Sequence, residues 1–83
     1  MKVTVYDKEN CAKCKNTEMF LKNKGVEFET KDVLEPEHED VLNWAKESGN
    51  TSMPLVFVND EFAWSDLRPD KIIELANKYH EEV

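Results

Sequence analysis

Cys11-Ala12-Lys13-Cys14 constrains this chain more than any other segment. It follows Val3-Thr4-Val5-Tyr6, whose apolar residues alternate as in a strand, and it opens a stretch with helical spacing. Two cysteines at this spacing on a helix start lie about one turn apart on one face. That is within the ~4.4–6.8 Å Cα separation that a disulfide tolerates. Such a pair can pass between dithiol and disulfide with little movement of the backbone, and between two strands it reads as a redox motif. No other cysteine is present.

The rest of the composition narrows the classes. The 83 residues suit one domain, spanning positions 1–83, with no room for a second core. A net charge of −7 argues against nucleic acid, where affinity comes from Lys and Arg neutralising phosphates. An acidic surface favours a monomer and steers toward basic partners, although most such charges simply solvate a face. No apolar run is long enough to span a membrane. The segment Met1–Asp7 is charged too early for a secretory signal. The expected compartment is the cytoplasm, where cysteine pairs are usually catalytic, redox-sensing or metal-binding.

Along the chain the order reads βαβαββα. A first strand around Val3 and Val5 leads to a helix over about 12–24, with Thr17, Phe20 and Leu21 inward and Gly25 as its stop. Residues 26–31 alternate as a second strand, parallel to the first through a right-handed crossover. Pro36 suits a first helical position, and Val41, Trp44, Ala45 and Ser48 recur at helical spacing up to Gly49. Pro54-Leu55-Val56-Phe57-Val58 is the most apolar strand. Asn59-Asp60 closes a hairpin onto residues 61–64. Pro69 starts a last helix lined by Ile72, Leu75, Ala76 and Tyr79. The expected architecture is an α/β domain, a four-stranded mixed sheet in order 2-1-3-4 with helices on both faces.

Several residues carry chemistry. Cys11, at the helix N-terminus, is the expected exposed nucleophile, because free backbone N–H groups and the helix dipole favour its thiolate. Cys14, one turn in, is the expected shielded resolving thiol. Lys8, on the strand–helix loop, is a candidate to tune Cys11, whereas Lys13 reads as a solvated side chain. Zinc is disfavoured. A structural site usually takes four ligands, and His38 and His80 are far apart in sequence and read as exposed surface histidines. Met19, Phe20 and Trp44 read as packing residues. Met53-Pro54 precedes the apolar strand, and by frequency alone a trans bond is expected. Trp64-Ser65-Asp66-Leu67-Arg68-Pro69 joins a strand end to a helix start, with Ser65 or Asp66 as possible caps. An aromatic, a hydroxyl and an arginine so close together could also brace the loop by hydrogen bonds.

Taken together, Cys11-x-x-Cys14, Met53-Pro54 and Trp64-Ser65-x-x-Arg68-Pro69 resemble the NrdH-redoxin branch of the glutaredoxin-like proteins, within the thioredoxin fold, over nearly the whole length. The resemblance implies a thiol–disulfide oxidoreductase needing no cofactor beyond its own redox-active disulfide. It implies a cis Pro54 facing the cysteines and a Met53 backbone that pairs with an extended substrate segment. It also implies thioredoxin reductase as electron donor and a class Ib ribonucleotide reductase as acceptor. Lys8, Met53, Pro54, Trp64, Ser65 and Arg68 are the candidate partner-binding residues. The Gly-Gly pair with which glutaredoxins hold glutathione is missing, and Trp64 is expected to offer an apolar surface to a protein donor instead. The chain departs from the pattern at Asp66 and Leu67, where glycine and phenylalanine are usual, at Ser52, and at Asp7, where a threonine is usual. Two alternatives stand beside this reading: a glutathione-dependent glutaredoxin, to which Asp66 would lend an acidic contact, and a non-catalytic zinc- or partner-binding module.

Overall fold

The computed structural model describes residues 1–82. Its elements are β1 (Val3–Asp7), α1 (Ala12–Asn23), β2 (Glu29–Asp32), a short 3-10 turn (Pro36–His38), α2 (Glu39–Ser48), β3 (Leu55–Val58), β4 (Glu61–Ser65) and α3 (Pro69–Glu82). The four strands form one mixed sheet in the order β2-β1-β3-β4. β1 runs parallel to β2, with Asp7 opposite Asp32, and antiparallel to β3, with Val5 opposite Val56. β3 and β4 are antiparallel neighbours. This is the expected thioredoxin-like architecture.

The second strand begins later than its alternation suggests. Gly25 takes a left-handed conformation at φ 74, its N–H donates to Lys22 O, and the Val26 N–H donates to Leu21 O. This pair of bonds closes α1, and it consumes the Val26 N–H that a strand would need. Val26 then packs in the same core cluster as Leu21. α2 ends the same way, with Gly49 at φ 79 and the Asn50 N–H on Ala45 O. The helix expected from Pro36 is split, because that proline begins only a 3-10 turn and α2 proper starts at Glu39.

Strand alternation divides the core. Val3, Val5 and Val56 face α1 and α3, where Leu21, Ile72, Leu75 and Ala76 complete a buried aliphatic cluster. Leu55 faces the other side, with Val33, Ala45, Met53 and both cysteines, and with Tyr6, Phe57 and Phe62 half-buried against them. A bulge interrupts β4. Val56 pairs with Trp64 and Phe57 with Phe62, so Ala63 is the extra residue. Phe62 and Trp64 are two apart and would otherwise share a face, but the bulge sends them to opposite ones. Trp64 therefore enters the aliphatic core and is 5% exposed. The expectation that it offers an apolar surface is corrected by this inserted residue. Among the described residues no helix is long and apolar enough to cross a membrane.

The candidate packing residues divide. Phe20 packs on the aliphatic cluster. Met19 does not pack, being 59% exposed. Trp44 is partly open to solvent, packed edge-on against Phe57 and tilted against Phe62. Of the two histidines, His38 differs from expectation and His80 is exposed as expected. His38 is half-buried with its ring edge-on to Tyr6, and His80 Nε2 sits 2.7 Å from Lys24 O at the end of α1. Glu35, Glu37 and His38 bring ligand-type atoms together on the surface, but neither cysteine takes part in that cluster.

Candidate active site around the Cys11–Cys14 pair

The Cys11–Cys14 disulfide is formed, with its Cα atoms 5.3 Å apart. Asn10, in a left-handed conformation at φ 57, turns the chain from β1 into α1. Cys11 is the N-cap of that helix, extended at φ −106 and ψ 99, and its Sγ accepts the Cys14 N–H at 3.2 Å. N-caps ordinarily present an oxygen to the free N–H groups of the first turn. Here a sulfur takes that place, so the donor that caps the helix also stabilises negative charge on Cys11 once the disulfide opens.

Cys11 is more enclosed than expected, whereas Cys14 is shielded as expected. Cys11 is 8% exposed and Cys14 1%. In the disulfide both sulfurs lean into the bed made by Val33, Ala45, Met53 and Leu55, which removes Cys11 from full exposure. The expected order survives, with Cys11 the more accessible. The Met53–Pro54 bond is cis, so the expectation from frequency fails and the one from resemblance holds. Both residues are buried, and neither the N–H nor the C=O of Met53 bonds another backbone group among the described residues.

The remaining candidates are placed unevenly. Lys8 is exposed and lines a recess of about 140 Å³ together with Val33, Lys46, Thr51 and Met53. Ser65 ends β4 opposite Leu55. Arg68 is directed away from Trp64 and Ser65, donating to Asp70 at 3.2 and 3.0 Å. Trp64 Nε1 is buried without a partner. The loop is therefore not braced by those side chains. Its brace is the backbone of Asp66, whose N–H donates to Ser52 O and Pro54 O and so ties it to the cis-proline turn. Neither Ser65 nor Asp66 caps α3, since Asp66 Oδ1 instead accepts the Leu67 N–H at 2.7 Å.

Lys13 is not simply solvated. Its Nζ lies 2.9 Å from Asp66 Oδ1, joining the helix of the cysteines to the β4–α3 loop. Lys13 and the Leu67 N–H together hold the Asp66 carboxyl below the ordinary carboxylate range. A second acidic group was not legible as a site residue. Glu18 stands one turn beyond Cys14 on α1, and its Oε2 is shut off from solvent without a hydrogen-bond partner. Burial pushes this carboxyl up to about 7, and the neighbouring Asp7 pushes it the same way, against the pull of Lys15. The signal available in the sequence was the spacing of four from Cys14 and the unusual acid at Asp7.

Comparison with known proteins agrees with this geometry. The glutaredoxin family profile matches residues 3–63. The chain is 36% identical to the glutaredoxin-like protein NrdH of Salmonella typhimurium over 81 residues, covering 96% of this chain and 95% of the relative. The solved structure of NrdH-redoxin from Escherichia coli, described as glutaredoxin-like with a thioredoxin-like activity profile, superposes with a TM-score of 0.75 at 29% identity. That match covers 90% of this chain and 95% of the other. A glutaredoxin structure from Archaeoglobus fulgidus superposes with a TM-score of 0.67 at 34% identity, covering 88% of this chain and 83% of the other.

Proposed function

This chain belongs to the glutaredoxin family as a glutaredoxin-like protein of the NrdH type, and from that membership we propose that it is an electron carrier reduced by a thioredoxin reductase and spent on a protein disulfide. The observation that carries the reading is Cys11 Sγ held at the α1 N-cap by the Cys14 N–H. Cys11 thiolate attacks one sulfur of a target disulfide and expels the other as a thiolate, forming a mixed disulfide. Cys14, after losing its proton, attacks Cys11 Sγ and expels the second target thiolate. The target gains two electrons, its two thiolates draw one proton from Cys14 and one from solvent, and the Cys11–Cys14 disulfide results. Met53, with its backbone groups unused, is the place for an extended target segment to add as a strand beside the cysteines. Ribonucleotide reductase is the acceptor this reading favours, and the cytoplasm its compartment.

Preference for a protein donor is supported by the NrdH relatives and by the β4–α3 loop. A glutathione carrier would want an accessible backbone and a free acidic group there. The Asp66 carboxylate is already engaged by Lys13 and Leu67. With Trp64 buried, the apolar surface on this side comes from Met19, Phe20, Leu67 and Pro69, which line one shallow groove. The glutathione-dependent reading rests on Asp66 itself, the acid that a glutathione amine would seek. NADPH oxidation separates the two. Turnover with thioredoxin reductase, and little with glutathione and its reductase, is expected. Efficient turnover with glutathione and none with a thioredoxin reductase from the same source would overturn the donor assignment.

A further inference from the structure

We propose that Glu18, paired with Asp7, is the proton acceptor for Cys14 when that thiol resolves the mixed disulfide. This rests on the thiol–disulfide reading above and adds a step that the two cysteines leave open. Cys14 must lose a proton before it attacks Cys11, and at 1% exposure it has little access to water that could take it. The group that receives the proton has to lie on the protein side of the sulfur.

Glu18 is placed for that. It follows Cys14 by four positions on α1, so the two side chains share a face of the helix, roughly 5–6 Å apart at Cβ. Helical side chains lean toward the N-terminus, which tips Glu18 over the turn that holds Cys14. Its Oε2 is enclosed and no donor reaches it, and the group beside it is the Asp7 carboxyl, so the pair is costly to keep unless a proton is held between the two. The charged groups acting on it come from two elements, Asp7 at the end of β1 and Lys15 on α1. Asp7 is fixed by the sheet, its carbonyl accepting the Val33 N–H at 2.9 Å, and Val33 lies in the cluster that contains both cysteines. Burial and the Asp7 carboxylate raise the affinity of Glu18 for a proton, bringing it to about 7, where it can both accept and release one.

The step balances as follows. The Cys14 S–H proton passes to the Glu18 carboxylate, the Cys14 thiolate forms the S–S bond to Cys11, and the Cys11–target S–S bond breaks with its electron pair leaving on the target sulfur. The Glu18 proton then goes to solvent or to that thiolate. Re-reduction by a donor thiolate runs the same path backward, with Glu18 returning a proton to Cys14.

Stopped-flow reaction of the fully reduced protein with dithiobis-nitrobenzoate tests this. Attack by Cys11 releases one coloured thiolate at a rate set by reagent concentration. Resolution by Cys14 releases the second at a rate that does not depend on it. Glu18→Gln should leave the first phase unchanged and slow the second on the order of 10²-fold at neutral pH. The variant should lose the inflection near 7 and converge on the native rate in alkali, where hydroxide does the work. Asp7→Asn should keep the inflection and move it to lower pH. Slowing by one constant factor at every pH, or an unshifted inflection in Asp7→Asn together with a native profile for Glu18→Gln, overturns the proposal. Release of a single thiolate per native protein overturns the disulfide-exchange reading itself, and the proposal with it.

Discussion

The sheet face under α1 and α3 and the face under α2 are made from the same strands, yet they bury different chemistry. The first collects Val3, Val5, Leu21, Val56, Ile72, Leu75 and Ala76, together with Trp64, into a closed cluster. The second holds the disulfide on Val33, Ala45, Met53 and Leu55, and then thins into aromatic rings that stay partly open, with Trp44 36% exposed. Strand alternation makes both faces from one sequence, but only the first needs to be sealed. A redox-active disulfide must be reached by the sulfur it exchanges with, so its face trades enclosure for access. Asp66, on the β4–α3 loop, is joined to Lys13, and Glu18 of α1 is paired with Asp7 at the end of β1.

The sharpest way to break this comparison is to remove chemistry from one face and packing from the other. Cys11→Ser should abolish disulfide reduction in the coupled NADPH assay while leaving the fold, read by circular dichroism, unchanged. Cys14→Ser should instead trap target protein as a mixed disulfide visible by intact mass. Faster alkylation of Cys14 than of Cys11 in the reduced protein would reverse the two roles.

Trp64→Ala should cost about 3–5 kcal/mol in urea unfolding, since it empties part of the closed cluster. Turnover per folded molecule should hold. Trp44→Ala, on the open face, should cost only about 1 kcal/mol. If Trp64→Ala left stability intact and selectively raised the KM for thioredoxin reductase, Trp64 would belong to the docking surface after all.

A smaller effect comes from the Glu18–Asp7 pair. The folded protein holds the Glu18 proton up to about 7, whereas the unfolded chain releases it near the ordinary value of 4.5. Between those values the folded state binds more protons, so this contribution is present below the window and is lost as pH rises through it. Glu18→Gln should therefore flatten the stability profile there. At pH above 7 it should be more stable than the native chain by on the order of 1 kcal/mol, the full shift being reduced by solvent near the group. Thermal melts across the window check the sign.

The smallest expected change is Asp66→Gly. Asp66 sits at φ 74, a conformation glycine takes freely, but the substitution also removes the Lys13 ion pair and the bond to Leu67. These oppose one another, and the urea midpoint should move little in either direction. Kinetics with glutathione then show whether the Lys13–Asp66 pair governs donor choice. Unchanged rates would remove it from that role.

Much of this was legible before any coordinates. The spacing of the cysteines, the strand periodicities, Gly25 and Gly49 as helix stops, and the two-residue hairpin all express local rules. Backbone sterics and hydrogen bonding settle them within a few residues. The start of β2 was misplaced because capping at Gly25 and strand pairing compete for one N–H, and the cap won. At the site, the cysteines and the proline turn were legible because each is a short motif. Arg68 was misread, since its partner proved to be Asp70 two positions on.

By itself the sequence determined the element order, the place of the cysteine pair at the start of α1, and the sheet topology, through periodicity, helix-end chemistry and the handedness of crossovers. Only the tertiary structure decided which face each side chain joined. One inserted residue at Ala63 carried Trp64 from a prospective docking surface into the core. The packing of α1 on β1 brought Glu18 and Asp7 into one half-buried pair, and the packing of the β4–α3 loop brought Asp66 to Lys13. Those outcomes turn on contacts between residues far apart in the chain. No local propensity encodes them, because each exists only once the sheet has set register and the helices have docked on it.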